Sequence, residues 1–232
     1  MADYLVFTLT ATLAAMGELA GHERRPSLSW PGRSAILGLL AAARGVRRED
    51  AEGLEEMDRL KTAVAIFDSG TPLRDYHTFQ SVPTAVARNP NSRPDALRRA
   101  GRRANTSISL RDYRQQPLFG VAVWDGELPP LRQALLRPCF TLYLGRKSCP
   151  LSAPLAPRIV EAEGPAEALA AIALPPWSPG RVARLMAVDA REGMEGQLHL
   201  RQDQPLDRTA WHFAARSEAL VTVEIAPRED KA

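Results

Sequence analysis

The sequence is poor in cysteine and contains no long apolar run, and each scarcity excludes a class of protein. Its two cysteines, Cys139 and Cys149, form neither a CxxC pair nor a zinc quartet. We therefore expect reduced thiols in a cytosolic protein. No apolar stretch approaches the ~18 residues that a membrane-spanning helix needs. The first residues lack the basic and apolar pattern of a signal peptide, so we expect a cytoplasmic protein without a membrane partner.

Common catalytic and cofactor-binding motifs are also missing. The chain has no Gly-x-Ser-x-Gly elbow, no GxGxxG loop and no histidine pair at HxxxH spacing. Three of the four histidines, His22, His199 and His212, show no ligand spacing. The sequence therefore predicts no catalytic motif of these kinds, no metal and no cofactor.

Lysine is scarce as well, with Lys61, Lys147 and Lys231 the only examples among 30 basic residues. From Arg88 to Arg114 there are eight arginines against two acids, so this segment carries +6 while the whole chain carries only +3. Arginine suits bidentate phosphate contacts and stacking on bases. An arginine-rich composition can equally reflect a GC-rich genome.

Hydrophobic periodicity predicts an α+β protein. A chain of 232 residues with 45% hydrophobic content can bury a core, as one large domain or two small ones. The predicted elements before residue 150 are strand 4–12, helix 35–44, a short helix around 54–60, strand 63–67, strand 118–124, helix 131–136 and strand 139–144. Residues 70–117 form an inserted arm, rich in proline and arginine, with a helical piece near 94–103.

This order of elements is the split βαββαβ pattern of a ferredoxin-like domain, the architecture of RNA-recognition modules. We therefore predict one such domain over residues 1–150, with the arm as an insertion. After Pro150, frequent prolines break the chain into short elements. The predicted elements there are helix 166–173 and strands 182–188, 197–201, 210–214 and 220–225. They predict a smaller β-rich lobe over residues 151–232.

Three segments carry residues suited to an anion or a nucleic acid. In the loop Tyr143 to Pro150, an aromatic ring, Arg146, Lys147 and Ser148 surround a glycine, which suits stacking and phosphate contact. Arg33 and Ser34 open a helix whose free N–H groups attract anions. Both segments can also be ordinary surface features, a basic turn and a capped helix.

The third segment is the arm. At its start, Leu73-Arg74-Asp75-Tyr76-His77-Thr78 combines groups that could stack, bind or perform acid–base chemistry on a ribose hydroxyl. Further along, Arg98, Arg99, Arg102 and Arg103 share helical faces in pairs, and like charges at that spacing destabilise a helix unless an anion is bound. A solvated helix face is the alternative interpretation.

These stretches resemble the CasD family, CRISPR-associated proteins of the RAMP class that form one subunit of the type I-E Cascade complex. The matching stretches run in family order, and they are Tyr4-Leu5-Val6, Arg25-Pro26, Pro31 to Leu40, Leu73 to Thr78, Val121 to Trp124 and Tyr143 to Leu151. The resemblance implies a prokaryotic, non-catalytic subunit that grips the 5′ handle of the CRISPR guide RNA (crRNA) in antiviral defence. The arm would correspond to the family's thumb, which kinks the RNA.

The resemblance also implies partners and residue roles. The partners are the guide RNA, the backbone RAMP subunit, the large PAM-reading subunit and, through the complex, target DNA. The residues implied to bind RNA are Arg25, Arg33, Ser34, Arg74, Tyr76, His77, Arg98, Arg102, Arg103, Arg111, Tyr143, Arg146, Lys147 and Ser148.

Two other functions stay open at this point. Related type I-C subunits cut precursor RNA without a metal, and Tyr76, His77 and Lys147 could supply a base, an acid and a cation for such a reaction. The chain could also be a protein-only scaffold whose arginines meet acidic protein surfaces.

Overall fold

Seven antiparallel strands form the main sheet, in the spatial order Gln197–Asp207, His212–Ile225, Ala183–Asp189, Lys61–Asp68, Leu118–Trp124, Ala2–Thr10 and Arg158–Ala162. The structure is a computed structural model that describes residues 1–17, 21, 23–190, 195–207, 210 and 212–227. The strands are β1 Ala2–Thr10, β2 Leu13–Ala14, β3 Arg24–Arg25, β4 Lys61–Asp68, β5 Thr71–Ser81, β6 Asn105–Gln115, β7 Leu118–Trp124, β8 Arg158–Ala162, β9 Ala183–Asp189, β10 Gln197–Asp207 and β11 His212–Ile225. The helices are α1 Arg33–Arg44, α2 Ala51–Arg59, α3 Arg93–Ala100, α4 Leu128–Leu136 and α5 Pro165–Leu169, with a 3-10 turn at Gly101–Arg103.

Helices cover both faces of the main sheet. Leu5, Phe7 and Leu9 of β1 pack with α1, α2 and α4 on one face, as their alternation predicts. Val6 packs on the other face with α5 and the turn that follows it. Because both faces are covered, β1 is buried from Tyr4 to Thr10. Among the described residues, no helix is both long enough and apolar enough to cross a bilayer.

The predicted fourth strand at residues 139–144 is wrong. Those residues form irregular backbone that hydrogen-bonds to α1, with the Cys139 and Phe140 N–H groups donating to the Ala43 and Ala42 carbonyls. The place beside β1 belongs instead to β8, which pairs antiparallel with Ala2 to Val6. The strand prediction failed because Leu142 and Leu144 are buried in alternation, a pattern that an irregular segment over a core also produces.

The predicted boundary at residue 150 does not separate two sheets. β8 lies beyond the boundary and pairs with β1, and β9 pairs with β4 from the first part of the chain. The strands predicted at 210–214 and 220–225 are a single strand, β11. The later part of the chain therefore extends the sheet of the earlier part at both edges.

The arm predicted at residues 70–117 is a β-hairpin with a helical tip. β5 and β6 pair along their whole length, from Thr71 opposite Gln115 to Ser81 opposite Asn105. The tip between them contains α3 and the 3-10 turn. The hairpin leaves the main sheet where β4 ends and returns where β7 begins. We call this the hairpin end of the sheet, and the opposite end, where β4 begins at Lys61, the far end.

A buried ionic network joins the two parts of the chain at the far end. Asp189, at the end of β9, accepts hydrogen bonds from the Thr62 backbone N–H (2.9 Å) and from Arg216 (2.7 Å). Arg216 also forms a two-pronged contact with Asp203, at 2.9 Å for each oxygen. Burial would lower the pKa of Arg216, but the hydrogen bond to Asp203 and the neighbouring carboxylates hold the pKa above its ordinary value.

We expect Arg216→Ala to destabilise the protein by about 3–5 kcal/mol, because it leaves buried carboxylates without their cation. Urea denaturation measures the change in the free energy of unfolding. The control is Arg184→Ala, whose ion pair with Glu224 has side chains 66% and 70% exposed, and which should change stability by less than about 1 kcal/mol. Equal effects of the two substitutions would contradict a structural role for the network.

Candidate nucleic-acid interface

Successive side chains along each strand of the hairpin point to alternate faces, so both strands contribute side chains to both faces. The register places Asp75, His77, Arg111 and Tyr113 on one face, which we call the loop-side face. Arg74, Tyr76, Leu110 and Asp112 lie on the other face, which we call the back face. The hairpin thus presents two chemically different surfaces.

The tetrapeptide Leu-Arg-Asp-Tyr occurs twice, at residues 73–76 and 110–113. The two copies lie opposite each other and antiparallel, so Arg74 faces Asp112 and Asp75 faces Arg111. Each copy therefore sets an arginine against the aspartate of the other, and facing opposite charges favour this register. Sequence reasoning missed Tyr113 as an interface residue, although this repeat was the signal that could have found it.

The short strand β3 adds two arginines beside β6. Its register pairs Arg25 with Arg111, so their side chains leave the sheet on the loop-side face. Arg24 lies on the back face, where it donates to Asp112 at 3.0 and 3.2 Å. Arg25 and Arg111 have no ion pair within 4 Å among the described residues. Asp75 faces Arg111 across the hairpin without such a contact, so the two adjacent arginines keep donors for an anion.

The loop of residues 143–150 is a tight turn anchored by buried side chains. Leu144 and Cys149 are 2% and 0% exposed, and the Leu144 N–H donates to the Cys149 carbonyl at 2.9 Å. Gly145 has a φ of +88°, and a Cβ there would stand 1.7 Å from the Ala15 carbonyl oxygen, so only glycine fits. This anchoring leaves Lys147 and Ser148 exposed at the tip of the turn.

Arg146 connects this loop to the hairpin. Its guanidinium carbon lies 4.5 Å from the centre of the Tyr113 ring, a cation–π contact on the loop-side face. The Nη1 atom of Arg146 is buried and has no hydrogen-bond partner within the described part of the chain. A buried donor without an acceptor is costly, and a bound oxyanion would satisfy it. Loop and hairpin thus form one continuous surface that carries Arg25, Arg111, Arg146, Lys147 and His77.

The predicted contact of Arg33 with a phosphate is wrong. Its guanidinium is buried, donates to the Asp58 and Leu60 carbonyls at 2.5 and 3.0 Å and lies 3.7 Å from Asp189. It stands at the far end, separated from the hairpin by the length of β4, about 24 Å. Ser34 is exposed but belongs to the same helix start at the far end.

The arginine run at the hairpin tip differs from the prediction in two respects. α3 ends at Ala100, so Arg102 and Arg103 do not extend the helical faces of Arg98 and Arg99. Asp95 lies 3.8 Å from Arg98 and 2.8 Å from Arg99, so the protein itself supplies an anion that offsets the repulsion between these like charges. Arg102 and Arg103 are exposed, and Arg98 keeps a side chain that is 77% exposed.

Tyr76 and His77 lie on opposite faces of β5, although they are neighbours in sequence. Tyr76 is 61% exposed on the back face, whereas His77 stacks near Phe79 on the loop-side face, with ring centres 6.3 Å apart. A single substrate atom cannot contact both rings at once across the strand. The structure therefore does not assemble the acid–base pair that an RNA-cleaving reaction through these two residues requires.

Three comparisons with known proteins agree with one another. The profile of the family described as "CRISPR-associated protein (Cas_Cas5)" matches residues 4–217. The chain is 33% identical to the CRISPR system Cascade subunit CasD of Escherichia coli (strain K12) over an alignment of 183 residues, and the match covers 73% of this chain and 76% of the relative. The chain belongs to the Cas5 family of CRISPR-associated proteins.

Two solved structures share this fold across nearly the whole chain. A chain of a CRISPR RNA-guided surveillance complex superposes with a TM-score of 0.70 at 25% identity, covering 98% of this chain and 95% of the other. A second Cas protein crystal structure superposes with a TM-score of 0.63 at 25% identity, covering 96% and 95%. The hairpin and the loop therefore lie in a chain whose family is known.

Asp112 organises the back face of this Cas5 hairpin. Arg74 donates to its two carboxylate oxygens at 2.7 and 3.2 Å, and Arg24 approaches from β3. The hydrogen bond from Arg74, with the weaker one from Arg24, holds the pKa of Asp112 below its usual value. Arg24 and Arg74 are thus engaged within the protein, which reduces what Arg74 can offer to a phosphate.

We expect the Asp112 contacts to stabilise the hairpin at pH values above the ordinary aspartate pKa, about 3.9. This stabilisation is lost as the pH falls through the lower pKa that Asp112 has in the folded protein. Asp112→Asn should therefore be less stable than the wild type at pH 6, and the difference should shrink in acid. Urea denaturation across this pH range measures it. Glu55→Gln removes an exposed pair with Arg59 and is the control. A difference that grows in acid would contradict the assignment.

Proposed function

We propose that this Cas5-family chain is a non-catalytic, guide-RNA-binding subunit of a type I-E Cascade surveillance complex. It grips the repeat-derived 5′ handle of the crRNA and helps to assemble the complex in the prokaryotic cytoplasm. The observation that carries the proposal is the contact of Arg146 with Tyr113, which joins the basic loop to the hairpin. Its 33% identical relative is a Cascade subunit.

The chemistry of the joined surface supports RNA as the ligand. Arg25 and Arg111 lie side by side, and Lys147 and Ser148 are exposed. Arg146 keeps a buried donor that has no acceptor among the described residues. Phosphates supply acceptors for such cations, while Tyr143 and His77 provide rings on which bases stack. Asp75 faces Arg111 in the register and offsets one of the four cations Arg25, Arg111, Arg146 and Lys147. The surface therefore keeps an excess of positive charge.

We assign the remaining residues by their position. Arg98, Arg102 and Arg103, at the hairpin tip, follow the RNA backbone where the handle gives way to the guide sequence. Tyr76 and Arg74 contact RNA or a neighbouring subunit from the back face. Arg33 and Ser34 are not part of the proposed interface.

We also infer the ferredoxin-like unit and the role of the hairpin. The unit consists of β1, α1, β4, β7, α4 and β8, whose strands stand in the order β4-β7-β1-β8. A ferredoxin-like domain has the same succession of elements. The hairpin would be the thumb of this domain. The proposed protein neighbours are the backbone RAMP subunit and the large PAM-reading subunit. The chain contacts target DNA only as part of the complex with them.

We expect the purified protein to bind repeat-derived handle RNA with an affinity that falls steeply with salt, because phosphate contacts release counterions. Arg111→Ala and Lys147→Ala should each reduce the salt slope by about 0.7, the value for one contact with a single strand. Fluorescence anisotropy over a salt series measures the slope.

Arg59→Ala is the matched control for this binding experiment, because Arg59 is exposed and lies at the far end, paired with Glu55. It should leave the slope unchanged. An affinity that does not change with salt concentration, or that is equal for handle RNA and unrelated RNA, would contradict the proposal. If Arg146→Ala and Lys147→Ala bind RNA normally but no longer assemble with the other subunits, the result would favour a protein-only scaffold.

We further expect repeat RNA to remain intact when it is incubated with the protein in EDTA, because Tyr76 and His77 lie on opposite faces of β5. Denaturing gel electrophoresis measures cleavage. Cleavage by the wild type that His77→Ala abolishes would overturn the non-catalytic assignment. His212→Ala, at the start of β11, distinguishes a specific effect from a general one.

A further inference from the structure

A polar cleft opens at the foot of the hairpin, separate from the surface described above. It has a volume of about 330 Å³, which lies within the ~300–1,000 Å³ of small-molecule sites. Buried Ala11 and Leu118 form part of its lining. Polar side chains also line its walls, among them Thr12, Gln115, Gln116 and Ser152.

The walls of this cleft are held by hydrogen bonds. The Ser152 N–H donates to the Thr10 carbonyl at 2.9 Å, and the Gln116 N–H donates to the Thr12 carbonyl at 3.1 Å. The Thr12 and Ser152 hydroxyls lie 3.2 Å apart and can each turn toward a ligand. Hydroxyls and amides offer both donors and acceptors, so the walls are equipped for the edge of a heterocyclic base.

Trp177 stands at this cleft with an indole that is 61% exposed. It lies in the sequence Pro175-Pro176-Trp177-Ser178-Pro179, and the Ser178 N–H donates to the Pro175 carbonyl at 2.9 Å to close a turn. The prolines fix their own φ angles, so the turn is rigid before any ligand arrives. A rigid aromatic platform loses little entropy when a flat ring stacks on it.

The charge of the cleft selects against a phosphate. Its lining contains one cation and one anion, Arg181 and Asp68, and they pair with each other at 3.0 Å. A second hydrogen bond, from the Gly70 N–H at 2.8 Å, holds the other oxygen of Asp68. Because the charges are matched, a neutral ring with polar edges fits better than an anion.

The cleft lies within reach of the proposed RNA surface. Gln115 and Tyr113 are two residues apart on β6, so they share the loop-side face at a separation of about 7 Å. A strand held against Arg146 and Tyr113 could therefore turn one base into the cleft.

We propose that this cleft binds one unpaired nucleobase of a single-stranded nucleic acid, stacked on Trp177 with its edge bonded to the hydroxyls and amides of the walls. The proposal rests on the proposed RNA-binding function and adds a base-binding site to it. Such a site gives the protein a contact that depends on the base rather than on the phosphate backbone.

The test uses handle-sequence RNAs that each carry 2-aminopurine at one position, mixed with the full chain. Stacking quenches this fluorescent base, so one position should be strongly quenched in the wild type. Trp177→Ala should restore its fluorescence and weaken binding roughly tenfold, since base–aromatic stacking contributes on this scale. Trp177→Phe keeps a ring and should retain most of the quenching.

Leu200→Ala is the control, because it removes another large exposed side chain, 72% accessible, from β10. It should change neither fluorescence nor affinity. RNA that binds equally to wild type and Trp177→Ala, with the same fluorescence at every position, would overturn the cleft while leaving the proposed function intact. A wild type that binds none of the RNAs would overturn the proposed function and the cleft together. Loss of subunit assembly in Trp177→Ala, with RNA binding unchanged, would assign the cleft to a protein partner.

Discussion

The buried contact between Asp189 and its three N–H partners is the constraint on which the arrangement of the chain depends. Arg33 opens α1, Thr62 is the second residue of β4 and Arg216 lies in β11, and each places a nitrogen within 3.7 Å of that carboxylate. Removing charges from water is expensive, and only good geometry with further hydrogen bonds offsets the cost. The network therefore fits one arrangement of the early and late parts of the chain.

This constraint also separates two kinds of arginine. Arg33 and Arg216 are buried at the far end, where their donors are taken up inside the protein. Arg25, Arg111 and Arg146 lie at the hairpin end, where carboxylates do not neutralise them completely. Composition alone cannot distinguish these two groups, because both consist of arginines and their neighbours in sequence do not show which of them are buried. The partner of Arg33 lies 156 positions away in sequence, at Asp189.

Elements with strong periodicity could be predicted from the sequence, and those with none could not. β1, α1, β7 and α4 were predicted because they bury regular apolar patterns over a full element. β5 and β6 were not predicted as strands, because β5 is almost wholly exposed and β6 is mostly half-buried, so neither buries a regular apolar pattern. β8 was missed because it is five residues long and follows Pro157.

The candidate site was predictable in part, for the same reason. The composition of the loop of residues 143–150 predicted a site for stacking and phosphate contact. In the structure the buried side chains of Leu144 and Cys149 anchor this loop. Its contact with Tyr113 depends on the register of a hairpin that sequence reasoning did not resolve. Trp177 was not singled out, because a single tryptophan between prolines carries no periodic signal.

The paired Leu-Arg-Asp-Tyr segments make the hairpin sensitive to changes of length. A substitution alters one side chain, but an insertion or deletion of one residue in β5 shifts its pairing with β6 by one position. Every side chain beyond that point then moves to the other face, and Arg74 no longer meets Asp112. A change of two residues in β5 alone restores the faces but still separates Arg74 from Asp112, so both are kept only when β5 and β6 change length together.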